Sequence, residues 1–386
     1  MVKRHFFFFL LIALLFCYIY TMHMKKTALK YFDEYFSSGF VSIATLVLFI
    51  ICTIYVFRSI SRIRIPFIKL YIASFIGIIL LTLLNSITSP LNSGILPFMI
   101  FLPVLLMLTT FFYFSAVELK DYHVIIIFFI FVCLSYNYFI NRTYIYSQLV
   151  DENFTSSAAY SVLYFTPIVL SINIKWIRAL VIITTTIVLL LSFKRTGILA
   201  FFVAMFLYLL IINKNKIDKY KNINVFVYMV IGIILLGYIM HDFDSKFVVE
   251  RFEDLSTDGG SGRVYIYNKI INLIYNSDII SILFGHGWDA VSRVNGMPAH
   301  NDFLEIIYDF GFIVFIIYVS FVCKLFKYTY KLYKLNNEFI GPMVVSLVIF
   351  VVNSMFSHIL LYPEYMYPFA LFWGGVCGIN RHNQYI

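Results

Sequence analysis

Apolar blocks of about 16 to 21 residues alternate along the chain with short polar breaks that carry most of the charge. At about 1.5 Å per residue, a helix of that length matches a hydrocarbon core roughly 30 Å thick. Blocks such as ILPFMIFLPVLLMLTTFFYF are apolar on every face instead of alternating, so the pattern predicts helices and not barrel strands. Spans are predicted near 6–21, 40–57, 68–85, 95–114, 122–140, 158–174, 177–193, 196–212, 223–240, 303–323, 340–357 and 365–380. The expected fold class is an all-α polytopic membrane protein of about 12 transmembrane helices. Residues 1–240 would carry the first nine, 241–302 one long polar loop with an amphipathic helix, and 303–386 the last three.

Composition agrees, with 61% hydrophobic and 13% charged residues where a soluble domain has about 25% charged. A formal charge of +9 raises nucleic acid as a partner. With the N-terminus inside, however, 18 of the 29 basic residues fall in cytoplasmic segments, which disperses the excess and predicts both termini cytoplasmic. The long loop then lies outside, where five basic residues face nine acids, a net charge of −4. Lys194 and Arg195 interrupt the apolar run from Ile177 to Ile212 and are expected at the tip of a tight outer hairpin. The first block follows Lys3 and Arg4, but no small-residue cleavage site follows it, so it reads as a retained span. The five cysteines lie in or beside apolar blocks without C-x-x-C spacing and read as packing residues. Asp242–Asp244 has the D-x-D form of a metal motif without α/β context, so neither metal nor cofactor is expected.

Three features of the loop could carry chemistry. Gly259, Gly260 and Gly262 precede Arg263 and a helical pattern, which suits a helix N-terminus presenting N–H groups and a guanidinium to a phosphate. The plainer reading is a capped interfacial helix with an exposed arginine. Asp302, Glu305 and Asp309 follow at i, i+3 and i+7 on one helical face. The helix dipole accounts for the first two and leaves Asp309, which enters the span, to be explained by function. His300 is the outer histidine best placed as a general base; His286 fills a glycine-flanked turn, and His241 and His358 sit at span ends.

Arg195 in LSFKRTGILAF, Arg263 in SGRVYIYN and His300 in PAHNDFLEIIYDFG, in this order and around this loop, resemble the O-antigen polymerase and O-antigen ligase superfamily of bacterial envelope glycan assembly. The resemblance covers mainly Ile177 to Ile317. It implies a multi-span (GT-C-like), metal-independent glycosyltransferase in the bacterial inner membrane, whose donor is an undecaprenyl-pyrophosphate-linked oligosaccharide. Arg195 and Arg263 would hold the pyrophosphate, with Lys194 able to share that role, and His300 would activate the acceptor hydroxyl. Asn301, Glu305, Asp309 and Arg251 are candidates for acceptor or sugar binding, and Glu305 also for orienting His300. Besides the lipid carrier and the membrane, a chain-length regulator and a flippase are expected partners. The compact FGHGW loop before HNDFLE favours a polymerase over a ligase that delivers polymer to lipid A-core. A non-enzymatic flippase would show two similar halves and charges inside several spans, which this sequence lacks.

Overall fold

The computed structural model describes residues 12, 15, 34–58, 66–85, 96–148, 158–192, 194–214, 230, 263–360 and 362–383. The elements described are all helices: α1 (Glu34–Arg58), α2 (Pro66–Asn85), α3 (Leu96–Ala116), α4 (Asp121–Gln148), α5 (Ala158–Leu170), α6 (Lys175–Ser192) and α7 (Arg195–Lys214), then α8 (Arg263–Tyr275), α9 (Ile279–Phe284), α10 (Ala290–Asn295), α11 (Asp302–Lys334), α12 (Ile340–Phe356) and α13 (Pro363–Asn383). Asp121–Ile140, Lys175–Ser192 and Asp302–Lys334 are long and apolar enough to cross a membrane, and six further apolar stretches of 10–17 residues accompany them. This is a membrane protein built of helices. The expected spans at 6–21 and 223–240 lie outside the described residues except for Ile12, Leu15 and Val230, as do Asp242–Asp244, Arg251 and the Gly259–Gly262 turn.

Hydroxyl side chains inside these helices bond back to their own backbone, as Thr110 does to Leu106 O (2.9 Å), Thr166 to Val162 O (2.8 Å) and Thr186 to Ile182 O (2.7 Å). In an apolar surrounding this satisfies a group that has no water to turn to. All of α5 is buried, which makes it an axis of the bundle. α13 comes very close to α3: a Cβ at Gly374 would strike the Thr110 hydroxyl and the Met107 carbonyl, and one at Gly378 the Phe111 carbonyl. Small residues four apart let two membrane helices pack backbone to backbone. Beside that contact, Trp373 packs against Phe321, Phe350 and Phe369 and donates to Ser346 Oγ at 2.9 Å.

α11 outlasts its expected span, continuing to Lys334, and it breaks at Gly311 (φ 75°, ψ 174°). The break frees two carbonyls: His286 N donates to Tyr308 O (3.0 Å) and Gly287 N to Asp309 O (2.8 Å). The join is tight on both sides, because a Cβ at Gly285 would run into the Asp309 carbonyl and one at Gly311 into the Leu283 carbonyl. Gly285 and Gly311 both occupy a region of positive φ and extended ψ that is essentially restricted to glycine. Gly296 also has positive φ, 80°, but nothing lies within 4 Å of its would-be Cβ. Gly296→Ala is therefore expected to cost strain alone, about 1–2 kcal/mol. Gly285→Ala and Gly311→Ala add a backbone collision and should lower the thermal unfolding midpoint in detergent by clearly more. Equal midpoints for all three would remove the close approach from the account.

Candidate functional site

Four segments distant in sequence meet at one end of the bundle: the α6–α7 hairpin, the start of α8, the turn before α11 and the loop between α12 and α13. The hairpin leaves Lys194 just before α7 and Arg195 as its first residue. Lys194 Nζ stands 5.9 Å from the centre of the Tyr160 ring. Arg195 Nη1 is enclosed and has no hydrogen-bond partner among the described residues. Arg263 opens α8 and donates from Nη1 to Thr196 Oγ1 at 3.3 Å, tying α8 to the hairpin. One turn on, Tyr267 Oη donates to His300 O (3.3 Å) and lies at the same distance from Met355 O, on the last turn of α12.

His300 sits at φ 56°, a left-handed conformation that non-glycine residues rarely adopt. Both of its backbone groups are held: its N–H donates to Glu305 Oε1 (3.1 Å) and its carbonyl accepts from Tyr267. Strain of this kind persists only where the surroundings over-determine the backbone. The imidazole stacks on His358, with ring centres 4.8 Å apart and planes 21° from parallel, and His358 stacks in turn on Tyr362. Burial, followed by the positive charges of Arg263 and Lys194, pushes the His300 pKa down to about 4. Its ring is therefore neutral throughout the neutral range, with a lone pair available for a proton.

Each of the three carboxylates expected on one face of α11 is fully buried and receives backbone N–H groups from a different segment. Asp302 accepts from Ile359 (3.0 Å) and Leu360 (3.3 Å), which fixes the loop bearing His358. Glu305 accepts from His300, and Asp309 from Val291 (3.0 Å) at the start of α10. Glu305 thus positions His300 through its backbone. Asn301 caps α11, its side chain accepting from Phe303 (3.0 Å) and Leu304 (3.2 Å). Lys194 and Arg263 act on the His300 imidazole, and Arg195 is the chain neighbour of both Lys194 and the Thr196 that Arg263 bonds. Asp309 lies two turns further along α11, and Arg251 falls outside the described residues. His286 is engaged elsewhere, by Ser277 at 3.0 Å and by a tilted ring contact with Tyr308.

Sequence reasoning missed Tyr160, Thr196, Tyr267 and the pairing of His358 with His300. Tyr267 was findable, since it stands four residues after Arg263 and so shares its helical face. His358 carried no local signal beyond its place at a span end. Among the described residues no cluster of His, Cys, Asp or Glu could hold a metal ion. What the arrangement offers chemically is the positive charge of Arg263 and Lys194 beside a neutral imidazole.

Residues 180–319 match the family described as O-antigen ligase (Wzy_C), which supports the resemblance to the O-antigen polymerase and ligase superfamily. The matched segment includes Lys194, Arg195, Arg263 and His300 but not Tyr160 or His358. No curated protein matches the chain.

Proposed function

We propose that the chain is a twelve-span glycosyltransferase of the O-antigen polymerase type, joining undecaprenyl-pyrophosphate-linked repeat units at the periplasmic face of the bacterial inner membrane, with both termini cytoplasmic. The observation that carries this reading is that the helix opened by Arg263 bonds both the His300 turn, through Tyr267, and the hairpin of Lys194 and Arg195, through Thr196, which sets cations beside an imidazole whose pKa they and burial lower. Glycosyl transfer from a pyrophosphate needs those two functions side by side. His300 takes the proton of the acceptor hydroxyl while that oxygen attacks the anomeric carbon of the donor. The bond from that carbon to the pyrophosphate oxygen breaks, and the negative charge gathering on the leaving group falls to Arg195, Arg263 and Lys194. The reaction so written is balanced by the protein's own side chains and requires no metal. Glu305 and Asp302 serve it indirectly, by holding the two histidine-bearing turns; Asn301 and Arg251 are left as candidates for contact with sugar, whereas Asp309 is fully buried and bonded to Val291.

A second reading, the ligase that transfers finished polymer to lipid A-core, is favoured by the description of the matching family. The compact loop carrying FGHGW supports the polymerase. A gel of lipopolysaccharide from a null strain separates them. A polymerase null leaves a single repeat unit on the core, whereas a ligase null leaves the core bare and polymer on the lipid carrier. Wild-type banding in the null would refute both readings.

A further inference from the structure

α9 is an apolar helix inside a segment that otherwise reads as hydrophilic. None of its six residues is buried: Ile279 and Ile280 are 73% and 68% exposed, Leu283 and Phe284 38% and 47%. Nor is it a loose loop. Asp278 accepts from Ile280 N and Ser281 N, both at 2.9 Å, and takes up the Ser281 hydroxyl at the same distance. At its other end, Gly285 to Gly287 are bonded into the break in α11. The fold therefore holds four large apolar side chains outward, exposed among the described residues.

Their position says what covers them. The Leu283 carbonyl abuts Gly311, and the next residues of α11 are Phe312, Ile313 and then Ile316, which are 45%, 42% and 50% exposed. Those three belong to a helix long and apolar enough to span a membrane, so lipid accounts for their exposure. α9 adjoins that surface. Gly311 is also the point at which α11 leaves two backbone carbonyls outside its own ladder, next to the buried Asp309. Hydrocarbon solvates neither, and non-helical backbone is tolerated at membrane depth only where protein encloses it.

We infer that α9 dips into the bilayer at the level of Gly311, turning Ile279, Ile280, Leu283 and Phe284 to the acyl chains and walling the broken turn of α11 and Asp309 off from lipid. Asp278, exposed at its N-terminus, remains in the headgroup layer. The region between α7 and α11 is on this view part membrane element. The inference is independent of any catalytic activity.

The test is electron paramagnetic resonance on the full chain in phosphatidylethanolamine–phosphatidylglycerol vesicles, with the five native cysteines replaced by alanine and a nitroxide placed at Ile280→Cys. Asn276→Cys, on the exposed turn just before α9, is the reference. In the bilayer the nitroxide at 280 collides freely with oxygen and rarely with aqueous nickel chelate, so its oxygen-to-nickel ratio should exceed that at 276 several-fold. A ratio equal to that at 276 places α9 in water and overturns the inference. Exclusion of both probes puts protein over the patch, such as a second copy of the chain, and overturns it equally. If the cysteine-free chain does not fold, quenching of Ile280→Trp by brominated lipid, taken against the wild-type chain, reads the same distinction.

Discussion

Replacing His300 is expected to lower glycan transfer by about 10²- to 10⁴-fold, the usual contribution of a positioned general base. Asparagine is the sharper variant. It tolerates the left-handed backbone found at His300, keeps the N–H that bonds Glu305, and lacks a basic nitrogen. His300→Asn and His300→Ala should both accumulate to wild-type level in membranes while polymer is lost. Full-length polymer from either, at normal protein level, would sink the base assignment. The pH dependence carries the same claim further. A pKa lowered to about 4 means that the proton leaves at lower pH than from an ordinary histidine near 6.5. The active neutral form therefore persists as pH falls through 6, and the acid limb of kcat/KM, which reports the free enzyme, should lie near 4. A limb near 6.5 would show that the burial and the cations around the ring are not felt.

Arg263→Ala should cost transfer about 10²- to 10³-fold, as for loss of one donor to a developing oxyanion. It should also do something that a merely structural arginine would not. Arg263 is the second cause, after burial, of the depressed His300 pKa. Removing it takes positive charge from beside the imidazole, so the acid limb should move up from about 4 toward the ordinary range. Arg263→Lys keeps the charge but loses the planar fork. It is expected to hold the limb nearly in place while recovering only part of the rate. An Arg263→Ala variant with unchanged limb and unchanged rate would remove the pyrophosphate clamp from this site.

The fold was legible in the sequence wherever solvent alone decides. Apolar blocks too long for a buried helix and apolar on every side have one stable arrangement in lipid, and the described helices α2, α3, α5 to α7, α12 and α13 begin and end within a few residues of the blocks, while α1 starts earlier, at Glu34, and α4 runs on to Gln148. The tip position of Lys194 and Arg195 followed from the same logic, because an apolar run of that length must turn where its charges are. The kink was less legible. A glycine inside a span is ordinary, and nothing local marks Gly311 as the partner of Gly285, since the contact depends on a backbone 26 positions upstream meeting it in space.

The carboxylates show the boundary most clearly. Their spacing put Asp302, Glu305 and Asp309 on one face, and that face is indeed shared and buried. From spacing alone an acid in a span suggests chemistry, because an uncompensated charge in hydrocarbon is costly. The tertiary structure supplies Asp302 and Asp309 with backbone N–H groups from distant segments, and Glu305 with that of the turn leading into its own helix, which gives these acids a positioning role that periodicity cannot reveal.

By itself, then, the sequence determined that this protein lives in a membrane and that helices carry it there. Those conclusions rest on the free energy of transfer between water and hydrocarbon, which is a property of each segment alone. Only the tertiary structure decided that Arg263 reaches the hairpin through Thr196, that His300 stacks on His358, and that α9 turns apolar side chains outward beside the kink. Each of these joins residues far apart in the chain, and their meeting depends on how helices pack, which no local pattern encodes.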